Sequence, residues 1–148
     1  LLTRTRWTVE INLPKDKAWF TTRSFWHNPT SGIQPYYNWV NTGILAKEDL
    51  KFIFPGKYII RHDGVALSWP KDSSRNKNLS RGVDNNYIGS KSYHITGVHS
   101  PYFGAYWASE DAGVMHYAER DEKLGRKIFS WALSDQGKIW EELLTDNK

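Results

Sequence analysis

The sequence predicts an all-β fold, an antiparallel β-sandwich with a short helical turn near its C-terminus. Three observations support this prediction. Apolar and polar residues alternate with a period of two in several short segments, glycine, proline and other turn-forming residues separate these segments, and a helical period occurs only in the last stretch. Many short strands at regular spacing are typical of an antiparallel sandwich.

The first forty residues predict three strands. Residues 7–13 alternate between apolar and polar side chains, as in a half-buried strand. Residues 14–17 form a turn, and the ring-rich, β-branched segment 18–26 is predicted to pair with the first strand as a hairpin. A loop at residues 27–32 then leads into residues 34–41, where rings and amides alternate and predict a third strand.

The middle of the chain combines a helical turn at residues 46–50 with a tight hairpin. Asp63-Gly64 lies between the apolar segments 58–60 and 65–67, at a position where a tight hairpin turn favours such a pair. Residues 70–86 are polar and poor in apolar side chains, and a loop of this length inside a domain is usually functional or mobile.

The last third of the chain predicts four more strands and a helical end. Trp140, Leu143 and Leu144 follow the i, i+3, i+4 spacing of one or two helical turns. The predicted strands cover residues 87–97, 102–108, 114–118 and 128–133.

Length and composition limit the classes of function. With 148 residues the chain is expected to form a single domain, 1–148, and we expect it to be a fragment of a longer domain. The net charge of +4 comes without a dense basic block, so nucleic-acid binding is not indicated. The absence of cysteine excludes disulfides and thiolate catalysis, and no apolar run is long enough to predict membrane insertion.

The segment 34–41 carries the clearest functional pattern. In an extended segment Tyr37, Trp39 and Asn41 lie on one side, whereas Asn38 lies on the other. Rings that stack on C–H surfaces beside amides that bind hydroxyl groups are what a sugar-binding site requires. The alternative is a core strand whose asparagine side chains cap neighbouring loops, and this segment alone does not decide between the two.

The histidines are weaker candidates. His94 and His99 are five residues apart across Gly97 and lack the spacing of a zinc site, so no metal and no cofactor are expected. His62-Asp63 is either a surface turn or a polar pair at the mouth of a pocket. His94 is either a satisfied core residue or a pocket residue.

Two segments resemble galactose mutarotases. Gln34-Pro35-Tyr36-Tyr37-Asn38-Trp39 is similar to their His-Ser-Tyr-Phe-Asn-Leu segment, and residues 82–87 resemble, more weakly, their Gly-Tyr-Asp-His-Asn-Phe segment. The mutarotase histidine that protonates the ring oxygen would fall at Gln34. Because glutamine cannot exchange a proton at neutral pH, plain mutarotase activity is not expected.

The whole chain resembles DUF5107, a bacterial family of unknown function found in Bacteroidetes-type proteins, often ahead of tetratricopeptide repeats. The segments that carry this resemblance are residues 34–41, 54–56, 62–64, 68–70, 89–94, 104–107 and 125–146. The resemblance implies a mutarotase-like sandwich with a carbohydrate-facing cleft. It also implies a general-base glutamate in a strand that would follow Lys148.

Two hypotheses follow. In the first, the chain is a carbohydrate-recognising domain of a glycan-handling protein, for which a periplasmic or extracellular location is favoured. A catalytic form would use His94 or His62 on a glycosidic bond or an anomeric centre, and whether the chain is an enzyme stays open. The expected binding residues are Gln34, Asn38, Trp39, Asn41, Asp63, Trp69, Lys91 and Trp107. In the second, the chain is a structural or protein-interaction domain that contacts the downstream helical repeats.

Overall fold

The computed structural model describes residues 4–86, 91–119, 125–130 and 135–145. The strands in these residues are Arg6–Asn12 (β1), Thr21–His27 (β2), Leu50–Ile53 (β3), Tyr58–Arg61 (β4), Ala66–Ser68 (β5), Lys71–Asp72 (β6), Lys77–Asn78 (β7), Lys91–Thr96 (β8), Tyr102–Trp107 (β9), Ala112–Tyr117 (β10) and Lys127–Ser130 (β11). The described helix is Asp135–Thr145 (α1), and 3₁₀ segments lie at Gly82–Asn85 and Ala108–Glu110. All strand pairs are antiparallel, which confirms the predicted fold class.

The chain divides into two compact units, Leu1–Thr42 and Gly43–Lys148. The N-terminal unit contains the predicted hairpin, in which β1 and β2 pair from Arg6 with His27 to Asn12 with Thr21. The prediction that the first strand is half-buried was wrong, because every residue of β1 is exposed, as is every residue of β2.

The segment 34–41 forms no strand. Residues 28–49, all of which the structure describes, contain neither helix nor strand. Alternation of rings and amides was therefore not sufficient evidence, since a strand also needs a neighbouring strand to satisfy its backbone hydrogen-bonding groups.

The C-terminal unit contains two main sheets that share one core. One sheet has the order β10-β9-β3 and the other the order β11-β8-β4-β5. Buried side chains from both sheets, together with two residues outside them, Trp69 and Leu79, form a single hydrophobic cluster, as expected for a sandwich. The cluster consists of Leu50, Phe52, Ile59, Trp69, Leu79, Tyr93, Ile95, Ala105 and Ile128.

The Asp63-Gly64 turn forms as predicted. It connects β4 to β5, which pair from Tyr58 with Ser68 to Ile60 with Ala66. Gly64 has a φ of +81°, a conformation that glycine adopts without steric cost. The side chain of Asp63 accepts a hydrogen bond from the backbone N–H of Val65 at 3.1 Å.

The polar segment 70–86 is more structured than the sequence predicted. It contains the short β6–β7 hairpin and the 3₁₀ segment Gly82–Asn85. Asp72, Leu79 and Asn85 are buried within it. The segment therefore contributes to the core of the C-terminal unit.

The strands of the last third were predicted at the correct places, and β9 pairs with both β10 and β3. Residues 87–90 and 131–134, at the ends of two predicted strands, lie outside the described residues. Helix α1 has 11 residues, about three turns, and is longer than the predicted one or two turns. Among the residues that the structure describes, no helix combines the length and apolar character needed to cross a bilayer.

Candidate functional site

A cavity of about 470 Å³ lies in the C-terminal unit, beside β4, β8 and the β6–β7 hairpin. We call it the inner cavity. Its described lining residues are Ile59, Arg61, His62, Asp63, Leu67, Asp72, Arg75, Leu79, Lys91, Ser92 and Tyr93. Strand alternation explains part of this set, because Ile59 and Arg61 share one side of β4, and Lys91 and Tyr93 share one side of β8.

The β4–β5 turn and β8 bring three predicted site residues together. His62 and Asp63 come from the turn, and Lys91 comes from the start of β8. The ring nitrogen Nε2 of His62 lies 2.8 Å from the Oγ atom of Ser92. Asp63 pairs with Arg61 at 2.5 Å, so the turn carries its own ion pair at the rim of the cavity.

The β6–β7 hairpin supplies residues that the sequence analysis did not select. The Asp72 carboxylate is buried and accepts hydrogen bonds from the Ser74 hydroxyl at 2.6 Å and from Arg75 Nη1 at 3.0 Å. The hydrogen bond from Ser74 makes the largest contribution to lowering the pKa of Asp72, and Arg75 lowers it further. The order Asp-Ser-Ser-Arg could have indicated this arrangement, because aspartate commonly binds polar groups two and three residues later.

Lys91 is half-buried at the wall of the cavity. Burial lowers the pKa of the Lys91 ammonium, and the positive charge of Arg75 lowers it further. Two basic side chains are therefore close enough to interact electrostatically in the same cavity.

His94 does not line the inner cavity. It lies one residue beyond Tyr93 on β8, so its side chain points to the opposite side of the sheet. Its ring centroid is 6.2 Å from that of His62. Burial lowers the pKa of His94, and the charges of Lys127 and His62 lower it further. The lowered pKa favours the neutral form of the His94 imidazole.

The predicted stacking rings of the C-terminal unit lie elsewhere. Trp69 is only 8% exposed, and its indole N–H donates to the backbone oxygen of Phe54 at 2.9 Å. Trp69 is therefore a core residue and not the exposed sugar-stacking ring that was expected. Trp107 is half-buried and donates its indole N–H to the backbone oxygen of Leu45 at 2.8 Å.

The other predicted residues belong to the N-terminal unit. Trp39 is exposed and contacts Tyr37 edge to face, with 4.9 Å between ring centroids. Asn38 and Asn41 are also exposed. Gln34 is partly buried and donates from Nε2 to the Thr30 hydroxyl at 3.2 Å. These residues keep ring and amide groups at the surface of that unit.

The described residues place no group of three or more histidine, aspartate or glutamate side chains where they could hold a metal ion.

The family model described as Domain of unknown function (DUF5107) matches residues 1–148. No solved structure matches the chain.

Proposed function

We propose that the chain, which belongs to the DUF5107 family, is a carbohydrate-recognising domain of a bacterial glycan-handling protein. The observation that carries this proposal is the convergence of His62, Asp63 and Lys91 on the inner cavity. The sequence pattern predicts all three as sugar-binding or catalytic residues, and the fold brings Lys91 of β8 to the β4–β5 turn that carries His62 and Asp63.

The lining of the inner cavity suits a hydroxyl-rich ligand. Sugar hydroxyl groups both donate and accept hydrogen bonds, so a sugar site needs partners of both kinds. Asp63 supplies an acceptor, Lys91 supplies a donor, and Ser92 can do either. Ile59, Leu67 and Leu79 supply apolar surface for the C–H groups of a sugar ring.

A catalytic form of the proposal depends on His62 and His94. Both rings lie beside β8, 6.2 Å apart between centroids, but only His62 lines the inner cavity. His62 would therefore be the group that contacts a bound sugar. His94 would act indirectly, by helping to position the ring of His62. Measurement of anomer exchange or of reducing-end release, with His62→Gln as the test variant, separates catalysis from binding.

The binding proposal is tested with a glycan array followed by calorimetry. We expect saturable binding to at least one saccharide, weakened about tenfold or more by His62→Gln and by Asp63→Asn, since each change removes one charged or ring partner, worth about 1.5 kcal/mol. His99→Gln is the matched control, because His99 is exposed and is not among the cavity-lining residues. An equal loss in all three variants, or no saturable binding, contradicts the proposal.

A second function is favoured by the surface of the N-terminal unit. Several large apolar side chains of this unit are exposed, including Trp7, Ile11 and Trp19. Surfaces of this kind are typical of protein contacts, and the contact would be with the helical repeats that the resemblance predicts. Hydrogen exchange of β1 and β2 should slow when the repeats are present, and unchanged exchange would argue against this function.

A further inference from the structure

We propose that the outer edge of β10 is an interaction surface, and that its partner is the same strand of a second copy of this chain. The two copies of β10 would pair antiparallel about a two-fold axis at Met115 and join two β10-β9-β3 sheets into one. The proposal rests on the outward-facing backbone groups of β10, on the open character of this edge and on the order of side chains along the strand. It does not depend on the ligand of the inner cavity.

The backbone of β10 faces outward at alternate residues. The Ala118 N–H donates to the backbone oxygen of Pro101 at 2.9 Å, at the end of the β9–β10 register. Hydrogen-bonded and non-hydrogen-bonded pairs alternate along an antiparallel ladder. The N–H and C=O groups of Gly113, Met115 and Tyr117 therefore point away from β9. Among the strands that the structure describes, none pairs with β10 on that side.

The edge of β10 is open to a further strand. Natural sheet edges are usually short, charged, interrupted by proline or a bulge, or covered by another segment. In the described sheets β5 has 3 residues and β11 carries Lys127, while Phe52 on the outer side of β3 donates its N–H to the Ser80 oxygen at 2.7 Å. β10 has 6 residues, Ala-Gly-Val-Met-His-Tyr, with no proline, no acidic residue, no lysine and no arginine, and it pairs with β9 without a bulge. Such an edge accepts an added strand.

The side chains of β10 leave apolar surface uncovered on both faces of the sheet. Val114 lies opposite Ala105, a residue of the hydrophobic cluster, yet it is 41% exposed. Directly opposite residues point to the same face, so the core layer extends to β10 and ends there. On the other face Met115 and Tyr117 are 73% and 63% exposed. A strand added beside β10 would cover all three side chains.

The order of side chains along β10 is self-complementary in one register. A two-fold axis at Met115 places Gly113 of each copy opposite Tyr117 of the other. An aromatic ring beside a strand glycine compensates for the side chain that the glycine lacks. In the same register Val114 lies opposite His116. The outward N–H and C=O groups at residues 113, 115 and 117 then meet their counterparts, which gives about six backbone hydrogen bonds.

The charges beside β10 distinguish a second copy from a basic peptide. Asp111 and Glu119 flank the strand, and in the proposed register they would approach each other across the axis. Each already has a partner in its own copy, since the Tyr106 hydroxyl donates to Asp111 and the Tyr117 hydroxyl to Glu119, both at 2.7 Å. Salt screens the remaining repulsion, so the dimer should tighten as salt rises. A partner held by ion pairs would be released instead.

The first test measures the oligomeric state by sedimentation velocity over a series of protein concentrations, with NMR amide exchange at both ends of the series. We expect a reversible dimer, because the pairing of one strand gives a small contact. The amides of Gly113, Met115 and Tyr117 should exchange at least tenfold more slowly in the dimer, whereas the Val114 amide, which faces β9, should change little. A monomer at every concentration overturns the proposal. Protection of the same amides in a protein that stays monomeric also overturns it, and identifies another segment of the same polypeptide as the occupant.

A charge placed on the axis tests the contact directly. Met115→Lys brings two lysines opposite each other and should raise the dissociation constant of the dimer tenfold or more. Leu143→Lys is the matched control, because Leu143 is a 70% exposed apolar side chain of α1. Melting curves verify that both variants are folded. Equal effects of the two changes, or an affinity that falls as salt rises, overturn the proposal.

Cysteine cross-linking tests the register. The chain contains no cysteine, so Met115→Cys gives each copy a single thiol at the axis. Opposite Cα atoms in a hydrogen-bonded antiparallel pair are about 5.5 Å apart, a separation that a disulfide can span. We expect the disulfide-linked dimer of Met115→Cys to form at least tenfold faster than that of Leu143→Cys under the same mild oxidation. Equal rates for the two variants overturn the proposed pairing.

Discussion

The Tyr93 hydroxyl donates a hydrogen bond to the side-chain oxygen of Asn85, 2.7 Å away, in the interior of the C-terminal unit. Asn85 is fully buried, and its amide nitrogen donates to the backbone oxygens of Leu79 and Arg81 at 3.0 and 2.9 Å. This one side chain connects β8 to the segment 70–86. The same two elements form part of the wall of the inner cavity.

Asn85→Ala should destabilise the protein by about 2–4 kcal/mol, because it removes the buried hydrogen bonds that the Asn85 amide makes with the Tyr93 hydroxyl and the Leu79 backbone oxygen, and a third with the Arg81 backbone oxygen. Tyr93→Phe should cost less, about 1–3 kcal/mol, since only the Asn85 oxygen loses its partner. Urea unfolding measures both. Tyr117→Phe is the control, because the Tyr117 hydroxyl donates to Glu119 at the surface, and a loss equal to that of Tyr93→Phe would contradict the assignment.

The lowered pKa of Asp72 predicts that the folded protein loses stability in acid. Its pKa is lowered in the folded protein, chiefly by the Ser74 hydroxyl and also by Arg75. The stabilisation is therefore present above the unfolded pKa of about 3.9 and is lost as the pH falls through the lower folded value. Asp72→Asn should reduce stability at pH 7 and flatten the acid side of the profile of unfolding free energy against pH. Asp135→Asn, at an almost fully exposed carboxylate, should leave the slope unchanged.

His94 should titrate below the ordinary histidine value of about 6.5 in an NMR titration. Burial is the largest cause, followed by Lys127, which lies directly opposite His94 on β11. Lys127→Met should raise the pKa of His94 part of the way back, whereas Lys51→Met should not change it.

The sign of the effect of His94 on stability follows from linkage. Because the folded pKa is lowered, the unfolded chain binds the proton more readily. Stability is therefore lost as the pH falls from about 6.5 towards the folded value. A histidine that titrates at or above 6.5 would contradict the assigned surroundings of the ring.

Gly104→Ala should disrupt the pairing of β9 with β10. A Cβ atom at residue 104 would collide with the backbone oxygen of Val114 and come within 3.1 Å of the Cα atom of Met115. Both atoms belong to backbone, so the neighbouring strand must shift, at a cost of about 1–3 kcal/mol. Gly43→Ala is the control, since nothing lies within 4 Å of its added Cβ. Equal melting temperatures for the two variants would contradict the close approach.

The sequence predicted the elements that depend on local chemistry. The β1–β2 hairpin and the Asp63-Gly64 turn formed where turn residues separate alternating segments. The strand at residues 34–41 was wrong because ring and amide alternation does not supply a pairing partner. Tertiary context, and not the side-chain pattern, decides whether such a segment enters a sheet.

The candidate site was predicted in part for the same reason. His62, Asp63 and Lys91 were predicted as site residues because they are polar residues beside turns or rings. All three line the inner cavity. Asp72 and Arg75 were missed because they lie in a polar segment that was treated as one loop. Their burial depends on hydrogen bonds with Ser74 and on packing against strands that are distant in sequence.

The alternation along β8 makes the length of this strand critical. Tyr93 and Ile95 fill the core, while His94 between them points away from it. Deleting or inserting a single residue ahead of Tyr93 would exchange these roles, so that an imidazole entered the apolar interior and a phenol ring turned to water. We therefore expect homologues to tolerate replacement of His94 more readily than an insertion or a deletion between the Asp63-Gly64 turn and β8.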